Sequence, residues 1–130
     1  MNKPLQQTNL TFQDILDKIY AHLEERDWHH QPPRGLAISL ALEAGELLEH
    51  YQWSDQPKSS KDELAAELAD IMIYAFQFAM QEGIDIPAAI LQKLAVQAKK
   101  YPAKEFKGKT TSDQNEAWLK AKVAYKKEGL

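Results

Sequence analysis

A chain of 130 residues, 44% hydrophobic and 27% charged, is long enough for one real hydrophobic core and too short for two. It has no cysteine, which excludes disulfide frameworks, zinc knuckles, iron–sulfur sites and thiol nucleophiles together. The net charge of −3 conceals a division: residues 1–92 carry 6 basic and 15 acidic groups, and residues 93–130 carry 10 basic and 4 acidic ones.

The N-terminal "MNKPLQQTNLTFQD" has no apolar signal-like run, and the longest strongly apolar stretch, "IMIYAFQFAM", is too short to span a bilayer, so a cytoplasmic address with no membrane partner is expected. From Thr11 the residues Phe12, Ile15, Ile19 and Leu23 follow the helical spacing i, i+3, i+7, i+11, with Leu16 and Tyr20 beside them. Thr11 suits the N-cap, and the helix is expected to end near Arg26 or Asp27, before "WHHQPPRG". A second helix is expected over residues 34–51 and a third over 60–82, the latter opened by Ser60 and Glu63 in capping-box spacing and closed by Gly83.

Asp85 and Pro87 start a fourth helix that must stop at Tyr101, ahead of Pro102. Trp118, Ala121 and Tyr125 suggest a short terminal helix. No segment alternates as a strand does, so the fold class is all-α: an antiparallel bundle of four main helices in a single domain over residues 1–130, with its core at about 11–102 and a basic extension over 103–130. Phe12, Phe76 and Phe78 are assigned to the core. The second and third helices are apolar around much of their circumference, which suits central helices or helices covered by another subunit, and favours an oligomer. The C-terminal lysines are spread among alanines and acids without a recognised binding motif, so no nucleic-acid partner is expected; they are better placed to meet carboxylates or a bound anion.

Chemistry enters with "LALEAGELLEH", which sets Glu43 and Glu46 three apart in an apolar segment, and with "ELADIMIYAF", where Glu67 and Asp70 repeat the spacing. On a helix such pairs share one face, and facing helices would bring all four acids together. Unpaired carboxylates in a low-dielectric interior need protons, lysines or cations to compensate them. Oxygen-only donors suit Mg²⁺, with Mn²⁺ as the alternative, and Mg²⁺ keeps positions open for phosphate oxygens, which makes a polyphosphate the expected ligand. The bland alternative is that both pairs simply solvate outward faces. A di-iron centre would need Glu-x-x-His on two helices, but Glu49 follows Glu46 at that spacing, His50 falls one residue later, and Asp70 follows Glu67. No phosphate-binding glycine loop occurs.

"EAGELLE" followed by "ELADIMIY" resembles the E-x-x-E…E-x-x-D signature of the MazG-like, all-α nucleoside triphosphate pyrophosphohydrolases. "RDWHHQPPRGLAISLALEAGELLEHYQW", "KDELAAELADIMIYAFQFA" and "QKLAVQAKKYP", within residues 24–102, are similar to the dCTP pyrophosphatase branch of that family. Where relatives often read K-x-x-x-N before the basic "YP" segment, this chain has Lys93 followed by Gln97. The resemblance implies that Glu43, Glu46, Glu67 and Asp70 hold Mg²⁺, that a nucleoside triphosphate is cut between its α and β phosphates, and that the chain forms dimers, often paired into tetramers, with nucleotide sites where subunits meet.

The same resemblance implies base contacts for Trp28 and Trp53, whose flat faces offer stacking surfaces. Tyr74, four residues after Asp70, shares the acid face and is placed to pack on the sugar or orient a phosphate. His30 is a further substrate contact, and Lys93, Lys100 and Tyr101 are expected to reach the β and γ phosphates. Mg²⁺ would offset charge on the α-phosphate and lower the pKa of a water, with Glu46, backed by Glu43, orienting or deprotonating it. The expected substrate is dCTP or a modified dCTP, in the manner of a nucleotide-pool house-cleaning enzyme. The competing expectation is a non-catalytic helical oligomer that binds nucleotide or structural cations.

Overall fold

The computed structural model describes residues 7–127, apart from the side chain of Lys127. Among the described residues there are six helices and no strand: α1 (Phe12–Glu24), α2 (Pro33–Glu49), α3 (Lys61–Glu82), α4 (Ile86–Lys100), α5 (Ala103–Phe106) and α6 (Thr111–Lys127). The chain folds as two compact units that divide after Ile84, with α1–α3 in the first and α4–α6 in the second. No helix among the described residues is long and apolar enough to cross a membrane.

The helix starts follow from side chains that satisfy orphan backbone donors. Thr11 Oγ1 accepts the Asp14 N–H at 3.1 Å, and Asp14 Oδ2 accepts the Thr11 N–H at 2.9 Å. Ser60 and Glu63 repeat this capping box on α3, at 3.2 and 2.8 Å; each such cap contributes about 1 kcal/mol. α2 opens instead with Pro33 in its first turn, where the missing N–H costs nothing. Asp85 Oδ1 accepts the Ala88 N–H at 2.9 Å and starts α4. Gly83, at φ 66°, closes α3 in the left-handed conformation that spares only glycine a Cβ penalty, and the Ile84 N–H turns back to the Ala79 carbonyl at 2.8 Å.

Within the first unit α2 and α3 are the most extensively packed pair. Late residues of α2 meet early residues of α3, as expected for neighbours that run in opposite directions. The buried apolar residues are Leu23, Leu36, Phe76 and Ala79. Phe12 sets its ring edge-on to Phe76 at 5.3 Å, but it is 37% exposed and so borders the core rather than forming it, which corrects its sequence assignment. It sits at the first position of α1, at the margin of the packing among the described residues.

The second unit is held by aromatic rings. Tyr101, at the end of α4, packs edge-on against Phe106 at 5.7 Å and nearly parallel to Trp118 of α6 at 6.5 Å. Lys100 Nζ lies over the rings of Tyr101 and Tyr125, at 5.3 and 5.4 Å, and Lys122 Nζ over Trp118 at 4.5 Å. α5 is an additional helix, and α6, of 17 residues, is longer than the short element its weak apolar pattern suggested. Gln114 Nε2 donates to the Phe106 carbonyl at 2.8 Å and joins the two.

Candidate metal and nucleotide site

The acid cluster follows directly from helix geometry. Glu43 and Glu46 are one turn apart on α2, Glu67 lies on the opposing α3, and one carboxylate oxygen from each of the three falls within 4.8 Å of the others. Asp70, a turn beyond Glu67, stands beside this trio, close enough for its charge to act on Glu43. Glu43 is half-buried, Glu46 and Asp70 are exposed, and Glu43 Oε2 is buried with no hydrogen-bond partner among the described residues. Burial pushes the Glu43 carboxyl above the usual carboxylate range. The neighbouring Glu46 carboxyl and the charges of Glu46, Asp70 and Glu67 act in the same direction.

An orphaned buried carboxylate oxygen within a three-acid cluster fits a hard divalent cation, which satisfies the oxygen and removes the repulsion at once. His50, one residue past α2, adds a support that sequence spacing did not assign. Its Nδ1 is hydrogen-bonded to Ser59 Oγ, and its Nε2 lies 3.3 Å from Glu67 Oε1. The neutral ring satisfies both contacts if the Ser59 hydroxyl donates to Nδ1 and Nε2–H donates to Glu67. The signal in the sequence was present but faint: His50 sits four residues after Glu46, which helps rule out di-iron ligation without pointing to the opposite helix.

A cavity of about 230 Å³ opens alongside the cluster, walled by Asp70, Tyr74 and Gln77 of α3 and by His22, Trp28 and Gln31. The turn that presents Trp28 is a helix-terminating motif. The Trp28 N–H bonds to the Leu23 carbonyl at 2.9 Å, the Asp27 N–H bonds to Glu24 at 3.1 Å, and Asp27 takes the left-handed conformation at φ 55°. Aspartate tolerates that conformation better than most residues, which gives the "RDW" stretch a structural reason. His22 meets the Trp28 ring edge-on at 6.5 Å.

A second cavity, of about 150 Å³, shares Leu23, Trp28, Gln31 and Gln77 with the first. His30 lines it, as does His29, whose carbonyl accepts from Gln81 Nε2 and whose buried Nδ1 has no partner among the described residues. Thus the structure brings Glu43, Glu46, Glu67, Asp70, Tyr74 and Trp28 to one region, with His30 in the adjoining cavity. Trp53 stands apart on the loop after α2 and is 79% exposed. Lys93, Lys100 and Tyr101 belong to the second unit, where Lys100 and Tyr101 take part in the aromatic cluster.

Comparison with known proteins gives this arrangement a family. Residues 38–115 match the MazG-like family, and the chain belongs to it. Over 103 residues the chain is 37% identical to dCTP pyrophosphatase 1 of Homo sapiens, a match that takes in 72% of this chain and 60% of the human protein. It is 36% identical over 108 residues to dCTP pyrophosphatase 1 of Bos taurus, covering 75% of this chain and 63% of that one. The chain therefore spans less than two thirds of the length of these curated relatives. The crystal structure of a pyrophosphatase from Archaeoglobus fulgidus superposes with a TM-score of 0.60 at 26% identity, over 76% of this chain and 99% of that one.

Proposed function

We propose that this chain is a Mg²⁺-dependent nucleoside triphosphate pyrophosphohydrolase that cleaves dCTP, or a modified dCTP, between its α and β phosphates to give the monophosphate and pyrophosphate. The observation that carries the reading is the convergence of Glu43, Glu46 and Glu67 around a buried, unpartnered carboxylate oxygen, beside a cavity walled by Trp28 and Tyr74. Membership of the MazG-like family and the names of the relatives support the same reaction.

Glu43, Glu46, Glu67 and Asp70 would hold the cation, and a cation there supplies charge compensation for the phosphate chain and acidifies water. Glu46 is the most exposed to incoming solvent of the three clustered acids, and it takes the proton from the attacking water as the new oxygen–phosphorus bond forms and the bond to the β-phosphate oxygen breaks. Trp28 stacks on the base and Tyr74 packs against the sugar, which holds the α-phosphate at the acid cluster. His30 closes the neighbouring cavity. The phosphate contacts of Lys93, Lys100 and Tyr101 rest on the family resemblance.

The chain acts as a dimer or a pair of dimers in this reading. Leu42, Leu48 and Ile38 of α2 are 65%, 66% and 51% exposed, and Leu68 of α3 is 52% exposed, more apolar surface than two central helices of a lone chain would present to water. Trp53 would then meet a nucleotide held by a neighbouring subunit. The deciding experiment is a panel of canonical and modified triphosphates assayed with Mg²⁺ and again with a chelator. Monophosphate and pyrophosphate from dCTP, abolished by the chelator, are expected. Thermal stabilisation by nucleotide without any product would replace the enzyme with a binding oligomer, and a diphosphate product would move the cleavage point.

A further inference from the structure

Asp70, Tyr74 and Gln77 succeed one another on α3 at i, i+4 and i+7 and therefore form a single stripe along the helix. All three face the cavity that Trp28 walls. The chemistry changes along the stripe from carboxylate to phenol to primary amide. From the first to the last the helix rises about 10 Å, comparable with the reach of a nucleoside monophosphate from its phosphorus to the outer edge of its base. With phosphate at Asp70 and sugar at Tyr74, the base falls at Gln77.

Gln77 is unusual for its position. It is 6% exposed, the one polar residue buried among the described residues. Like that of Gln31 in the same cavity wall, its amide makes no hydrogen bond within the protein among the described residues, whereas those of Gln13, Gln81 and Gln114 do. Its amide atoms are not among the buried polar atoms left without a partner in the described residues, so the amide opens onto the cavity while the rest of the side chain is covered, and it is available to whatever enters there. Gln77 also borders the smaller cavity, so its amide stands at the wall common to both.

We propose that Gln77 is a specificity-determining residue whose amide pairs with the hydrogen-bonding edge of the nucleobase stacked on Trp28. This rests on the nucleotide reading given above. An amide offers a donor and an acceptor side by side, complementary to the exocyclic amine and ring N3 of cytosine. A carboxylate at the same place offers two acceptors: it repels N3 of cytosine and matches the adjacent N1–H and amino group of guanine.

The test compares the wild type with Gln77→Met, which keeps the shape and removes the amide, and with Gln77→Glu. kcat/KM is measured for dCTP, dTTP, dATP, dGTP and an abasic deoxyribose triphosphate, with thermal melting to verify folding. Gln77→Met is expected to lose about tenfold or more on dCTP and nothing on the abasic compound, and Gln77→Glu to shift preference toward dGTP. Unchanged ratios among the bases in both variants would overturn the proposal. Should the wild type cleave no triphosphate, the catalytic reading fails on its own. The same comparison made on dCTP affinity by calorimetry then decides Gln77, and a wild type that binds no nucleotide overturns both.

Discussion

His50 and Glu67 are joined across the two helices of the acid cluster: Nε2 of the histidine lies 3.3 Å from Oε1 of the glutamate, while Ser59 holds the other ring nitrogen. The acid is thereby aimed by a residue of the opposing segment, as metal-binding carboxylates commonly are. Replacing His50 by Leu should weaken Mn²⁺ binding, followed by calorimetry, by about 10–100-fold. Ser59→Ala should have a smaller effect in the same direction. Equal affinity in all three proteins would reduce the histidine to packing.

Glu43 sets a pH dependence. Its carboxyl is raised by burial and by its acidic neighbours, so in the metal-free protein the fold binds this proton more tightly than the unfolded chain does. The stability it confers is complete below the ordinary carboxylate range and is lost as pH rises from there through the raised value. Thermal melting in chelator should therefore show a decline across that window. Saturating Mg²⁺ or the substitution Glu43→Gln should flatten it, and a profile identical in wild type and variant would exclude Glu43 as the source.

Glu46 shares the cluster but remains exposed, in keeping with a group that exchanges protons with incoming water. Glu46→Gln is expected to lower kcat by at least about 10²-fold with little change in melting temperature, the range for removing a general base. Full residual turnover would reassign the proton.

Asp27 works through backbone shape. At φ 55° it delivers Trp28 to the cavity, so Asp27→Gly should be tolerated and Asp27→Val should cost about 1–2 kcal/mol with a raised KM. Equal KM values for the two variants would separate the turn from substrate binding.

The exposed leucines of α2 predict association. Leu48→Lys, at a side chain 66% exposed, should shift sedimentation toward the single chain at micromolar concentration without unfolding α2. If the wild type already sediments as a monomer, the apolar face serves another purpose.

The helices were legible because their punctuation is local. Thr11, Ser60, Gly83, Asp85 and Pro102 stand where caps and stops occur, and the observed ends differ from the expected ones by a few residues at most. The pairing of Glu43 and Glu46 with Glu67 could be read from two i, i+3 repeats on adjacent helices. What could not be read depends on contacts between distant segments. His50 meets Glu67 across a loop, Gln77 acquires meaning only when Trp28 is placed opposite it, and Tyr101 gains its ring partners from α5 and α6. The weak pattern of α6 concealed its full length, because none of its described side chains is fully buried.

The three tryptophans fall in three different settings: Trp28 at the cavity wall, Trp53 on an open loop and Trp118 parallel to a tyrosine in the second unit. Their fluorescence thus provides the protein with three separate optical reporters. Variants retaining one indole apiece would let ligand arrival, subunit contact and unfolding of the C-terminal helices be followed as distinct signals in a single cuvette.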